Sequence, residues 1–168
     1  MFDTSFLHPM VVHFPIALLI VGLLAETIGL FTQKEFFSKT GFYLLILGTV
    51  GVITAYFTGQ SAGDGITETG ALKQALELHE DAAVLSVWLI AGAAVVRIAL
   101  VLLKKYSGLF KGVAFVLFLL GVLSIARTGY YGGELVFKHA AGVQLNLGLD
   151  LPADTSEPRS DKVVKSDD

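Results

Sequence analysis

Apolar residues gather into four long runs, at residues 10–31, 41–58, 82–103 and 112–126, separated by shorter polar stretches. Three of these runs approach the roughly 20 residues that a helix needs to cross a bilayer. The fourth is shorter, but its helix can continue through Arg127 toward Tyr130 and Tyr131, aromatic residues suited to a membrane–water boundary. One such run would fit a buried helix of a soluble protein. Four in succession predict an all-α fold, an integral membrane four-helix bundle. The expected spans are residues 10–31, 41–58, 80–103 and 110–131, inside one membrane domain of residues 1–147. An outer cover segment is expected after the fourth helix, and a mobile, polar tail over residues 148–168.

Composition agrees with this reading. Of 168 residues, 54% are hydrophobic and only 16% charged, well below the roughly 25% charged residues of an average soluble domain. Cysteine is absent, which excludes thiolate metal sites, c-type haem attachment and disulfide chemistry. The net charge of −3 lends no support to nucleic-acid binding. No basic start precedes the first run and no small-residue cleavage site follows it, so that run is expected to remain as a spanning helix.

Charge placement predicts orientation. Lys34 and Lys39 follow the first run, and Lys104, Lys105 and Lys111 follow the third, whereas the segment up to Pro9 has no Lys or Arg. By the positive-inside rule those basic loops are cytoplasmic, and both termini lie on the periplasmic side of a bacterial inner membrane. Arg159, Lys162 and Lys165 in the tail are far from the last helix and are matched by Asp154, Glu157, Asp161, Asp167 and Asp168.

Local features refine the helices. Pro9 suits the first turn of a helix, and Pro15 removes a backbone hydrogen bond inside the first span. Gly41, Gly48 and Gly51 on the second span read as close helix packing, with room for a flat cofactor as the other use of such residues. Residues 59–70 form a turn-rich loop. Beyond it Leu72, Leu76, His79 and Ala83 recur at helical spacing and share one face. Residues 127–143, rich in glycine and aromatics, are too polar for a fifth span and are expected to fold back over the outer mouth. Glu26 and Arg97 lie deep in the first and third spans at similar depth, which predicts an ion pair between them.

The candidate chemistry lies in His8, His13, His79 and His139, all at the outer end of this bundle. Ionisable groups near lipid are costly and mark sites, and imidazole is both a common metal ligand and a haem axial ligand. The first and third helices of an up-down bundle are diagonal, so His13 and His79 form the expected axial pair. His8 lies about 140° round the helix from His13 and cannot ligate the same iron from the same side. His8 and His139 are the reserve pair, and Arg127 is the candidate partner for haem propionates.

The string LHPMVVHFPIALL at residues 7–19, the string YGGELVFKHAAGV at residues 131–143, and a histidine opening the third helix carry a family likeness. Over residues 5–145 the chain resembles bacterial membrane proteins grouped as domain of unknown function 2231. The resemblance implies a four-span domain with His8, Pro9, His13, Phe14 and Pro15 at its opening. It further implies His79 in the middle, and Gly132, Gly133, His139, Gly142 and Val143 at the close. Such domains look like companions of c-type cytochromes in some respiratory settings, which favours haem.

The expected function is therefore a haem b-binding electron-transfer subunit, non-catalytic, with a bis-histidine site on the periplasmic side. Its expected partners are the lipid bilayer, other membrane subunits and a periplasmic c-type cytochrome or quinone. Two alternatives stay open: a cofactor-free accessory or assembly subunit, and a periplasm-facing Zn²⁺ or Cu²⁺ site with imidazole ligands. A transporter is disfavoured, because no inverted repeat or pair of broken helices is legible.

Overall fold

The computed structural model describes residues 7–63 and 70–141. Four helices fill nearly all of that length: α1 (Leu7–Thr32), α2 (Glu35–Gly63), α3 (Gly70–Leu102) and α4 (Gly108–His139). Each is long and apolar enough to cross a membrane. Most of each apolar stretch faces outward, as a helix solvated by lipid permits. The tail expected over residues 148–168 lies outside the described residues.

Two tight hairpins make the bundle. Gln33 adopts the left-handed region with φ 56°, and its N–H closes α1 on the Gly29 carbonyl at 3.0 Å. Only Gln33 and Lys34 separate α1 from α2. The α3–α4 turn is longer and passes through Lys104 with φ 56°. α1 packs along α2 and α3 along α4, while the hairpins meet along two lighter seams, α2 with α3 and α1 with α4. The first and third helices are therefore diagonal, as the up-down topology predicts.

Residues 127–139 do not turn back over the mouth of the bundle; they continue α4. Leu135 is buried on this extension, and Lys138 and Glu134 pair one turn apart. The helix stops only at Ala140, which is left-handed; its own N–H bonds back to the Val136 carbonyl and that of Ala141 to the Leu135 carbonyl. Gly132 and Gly133, which suggested a loop, lie within this helix, and the His79 ring packs against the first of them.

The core is built from large side chains set against glycine. Leu19 and Ile90 are both 0% exposed and join Leu45, Val52, Ala93, Ala94 and Phe118 in one cluster. A Cβ at Gly48 would stand 2.5 Å from the Leu19 side chain, and one at Gly121 would stand 2.5 Å from Ile90. Gly41 and Gly51 are likewise covered by Glu26 and Pro15. These three α2 glycines thus serve close helix packing, the first of their two expected uses.

The two hairpins follow one plan. Glu26 and Arg97 are 71 residues apart. The same separation relates His8 to His79, Pro15 to Ser86, Leu19 to Ile90 and Gly22 to Ala93. A second constant separation relates Gly41 to Ala114, Leu45 to Phe118, Gly48 to Gly121, Gly51 to Ser124, and Gly59 to Gly132. The longer α3–α4 turn accounts for the difference between the two separations.

Candidate functional site

At the end of the bundle that carries the start of α1, His8 and His79 meet across the diagonal. Their ring centroids are 6.4 Å apart and their planes lie at 79°. Each ring is fixed by the partner helix of its own hairpin. His8 Nδ1–H donates to the Ala55 carbonyl on α2 at 2.9 Å, with Thr58 Oγ1 3.3 Å from the same nitrogen. His79 Nδ1–H donates to the Thr128 carbonyl on α4 at 3.1 Å. A carbonyl only accepts, so in each neutral ring the proton sits on Nδ1 and Nε2 carries the lone pair.

Two glycines admit these rings. A Cβ at Gly59, one turn beyond Ala55, would come within 2.9 Å of His8 Cε1. A Cβ at Gly132, one turn beyond Thr128, would come within 3.1 Å of His79 Cε1. A side chain at Gly59 would force the His8 ring to shift, and one at Gly132 would require the His79 ring to give by a small fraction of an ångström. Below His79 a hydroxyl cluster ties α3 to α4: Ser86 Oγ lies 2.8 Å from Ser124 Oγ and 2.9 Å from Thr128 Oγ1. The corresponding positions below His8 are Pro15, Gly51 and Ala55, which carry no side-chain hydroxyl.

The remaining sequence candidates lie elsewhere. His13 is exposed, and its Nδ1–H donates to the Pro9 carbonyl of its own helix at 2.6 Å. It does not meet His79, because α1 buries a stripe through Pro15, Leu19, Gly22 and Glu26 that His8 continues and His13 does not. His139 sits half-buried on the last turn of α4. Arg127 is exposed, with its guanidinium carbon 5.5 Å from the Tyr131 ring centroid. Among the described residues, no group of three or more His, Asp or Glu side chains converges as a metal-binding set. The donors that meet at this end, among the described residues, are the two imidazoles of His8 and His79.

A family model described as "Predicted membrane protein (DUF2231)" matches residues 5–145. The chain belongs to this family. No curated protein and no solved structure matches the chain. Membership and the four apolar helices together establish a multi-pass membrane protein with its helices in contact with lipid.

The opposite end of this DUF2231 bundle holds the predicted ion pair. Arg97 Nη2 lies 3.4 Å from Glu26 Oε2, and the two side chains are 6% and 5% exposed. Arg97 also donates to the Ser38 hydroxyl at 2.9 Å and to the Ser38 carbonyl at 3.1 Å. Tyr106 O–H donates to Glu26 Oε1, and the Arg97 guanidinium carbon sits over its ring, 3.0 Å from the centroid. Ser38 and Tyr106 were not foreseen, since neither stands out beside its neighbours in the sequence. Gly59 was legible only by setting the two halves of the chain in register, against Gly132, which the family resemblance already singles out.

Proposed function

We propose that this protein is a haem b-binding electron-transfer subunit of the bacterial inner membrane, with His8 and His79 as the axial ligands. The observation that carries the reading is the spacing of this pair, together with the carbonyl that each Nδ1 meets. An imidazole nitrogen binds a metal at about 2 Å, so two imidazoles on opposite sides of one metal hold their centroids roughly 6 Å apart. The observed 6.4 Å fits that arrangement. Metal-bound histidines characteristically donate their other N–H to a carbonyl or carboxylate, which fixes the ring and raises its basicity. His8 and His79 both do so, to Ala55 and Thr128.

The size of the donor set separates haem from a bare metal. Structural zinc takes four protein ligands and catalytic zinc three, while a porphyrin supplies its own four nitrogens and needs two axial residues. Two anchored imidazoles suit the second case. When bound, haem would supply one-electron chemistry. The chain holds the two imidazoles at fixed separation and surrounds them with the low-dielectric ends of four helices. The positive-inside argument puts this end of the bundle on the periplasmic side. There it can exchange electrons with a periplasmic cytochrome or a membrane quinone within a larger complex.

The test is the visible spectrum of the full chain purified from haem-sufficient cells. A Soret band with a sharp reduced α-band, lost in the His8→Ala/His79→Ala double variant, supports the reading. Well-folded protein without that band contradicts it and favours a cofactor-free accessory subunit. Stoichiometric zinc or copper without the band favours a two-histidine metal site.

A further inference from the structure

We infer that the chain is a tandem duplication of one helical hairpin, and that its ligand sits on the pseudo-twofold axis relating the copies. It follows that one ligand is bound per chain and that His8 and His79 hold it equivalently. The ligand must then present two like faces, as a metal-centred macrocycle does. The inference deepens the haem reading and rests on it for the identity of the ligand.

The same contacts recur in both hairpins. His8 bonds to the carbonyl of Ala55 and lies on Gly59; His79 bonds to the carbonyl of Thr128 and lies on Gly132. Deeper in the bundle, Leu19 covers Gly48 as Ile90 covers Gly121. At the far end Glu26 and Arg97 occupy equivalent positions and meet each other. A residue on a twofold axis meets its own counterpart, and two such meetings, at opposite ends of the bundle, define the axis. Both copies run in the same direction, since α1 and α3 start at the same end. Parallel repeats about an axis along the membrane normal are one of the two ways membrane proteins build internal symmetry.

The exceptions are also informative. At the Glu26–Arg97 level an exact repeat would bring like charges together without water, which is strongly unfavourable. Divergence of one copy from the other turns that clash into an ion pair. At the histidine level no such conflict arises, because two neutral imidazoles, each with an Nε2 lone pair, can share one metal. This position has stayed identical, as have the glycine pairs Gly48 with Gly121 and Gly59 with Gly132.

Matched substitutions in the full-length protein test the inference. Haem content of the wild type should be one per chain. His8→Met and His79→Met should each retain haem with a histidine–methionine spectrum, since methionine is an alternative axial ligand. The two spectra should coincide. Two haems per chain, or a shift in one variant with no change in the other, overturns the axial placement. A second pair reads the repeat without any ligand: Gly48→Ala and Gly121→Ala should lower the melting temperature by similar amounts. A marked loss in one with no change in the other overturns the duplication. Wild-type protein without haem, but with matched glycine losses, overturns the ligand assignment and leaves the repeat standing.

Discussion

Leu19 and Ile90 occupy the same place in successive hairpins, each fully buried and each seated over a glycine of the next helix. Large side chains against glycine bring the helix axes close, which is how membrane helices gain packing energy where lipid gives no hydrophobic drive. Leu19→Ala and Ile90→Ala each empty such a seat and should cost about 2–5 kcal/mol. Chemical unfolding in detergent measures both.

Arg97→Met leaves Glu26 buried with its charge opposed only by more distant groups and should destabilise the bundle by about 3–5 kcal/mol. Glu26→Leu combined with Arg97→Met should cost less than the worse single change, because no buried charge is left without its partner. Melting curves of the three variants decide between this and a pair whose members act separately, for which the double loss would equal the sum.

Thr128 contributes to His79 through its backbone carbonyl and to the α3–α4 interface through its hydroxyl. Thr128→Val removes only the second. Stability should fall by about 0.5–1.5 kcal/mol, with haem occupancy unchanged in the absorbance spectrum.

Reporter fusions after Asp168 check the orientation. A periplasmic reporter should be active there and a cytoplasmic one inactive, given the lysines at positions 34, 39, 104, 105 and 111. The opposite pattern would put the histidine pair on the cytoplasmic side.

Much of the fold was legible because hydropathy acts over whole helices. The runs around Leu19, Leu45, Ile90 and Phe118 announce four spans, and the depth of Glu26 and Arg97 predicts their pairing. The placement of the candidate residues was only partly legible. His79 stood on the face of Leu72, Leu76 and Ala83, while the choice between His8 and His13 turned on which one continues the buried stripe of Pro15, Leu19 and Glu26. Depth favoured His13; helical phase favoured His8, and phase decides which side chain reaches the bundle axis. The α4 extension was missed because Gly129, Gly132 and Gly133 read as a loop, although glycine in a membrane helix often marks a close approach. Gly132 does so against the His79 ring.

The most direct test of the His8–His79 pair is the haem content of His8→Ala set beside that of His13→Ala, measured by reduced-minus-oxidised spectra of membranes with equal protein. His8→Ala should lose the low-spin bis-histidine signal, and His13→Ala, whose ring turns back to the Pro9 carbonyl on the exposed side of α1, should keep it. Loss of the signal in His13→Ala with retention in His8→Ala would contradict the account.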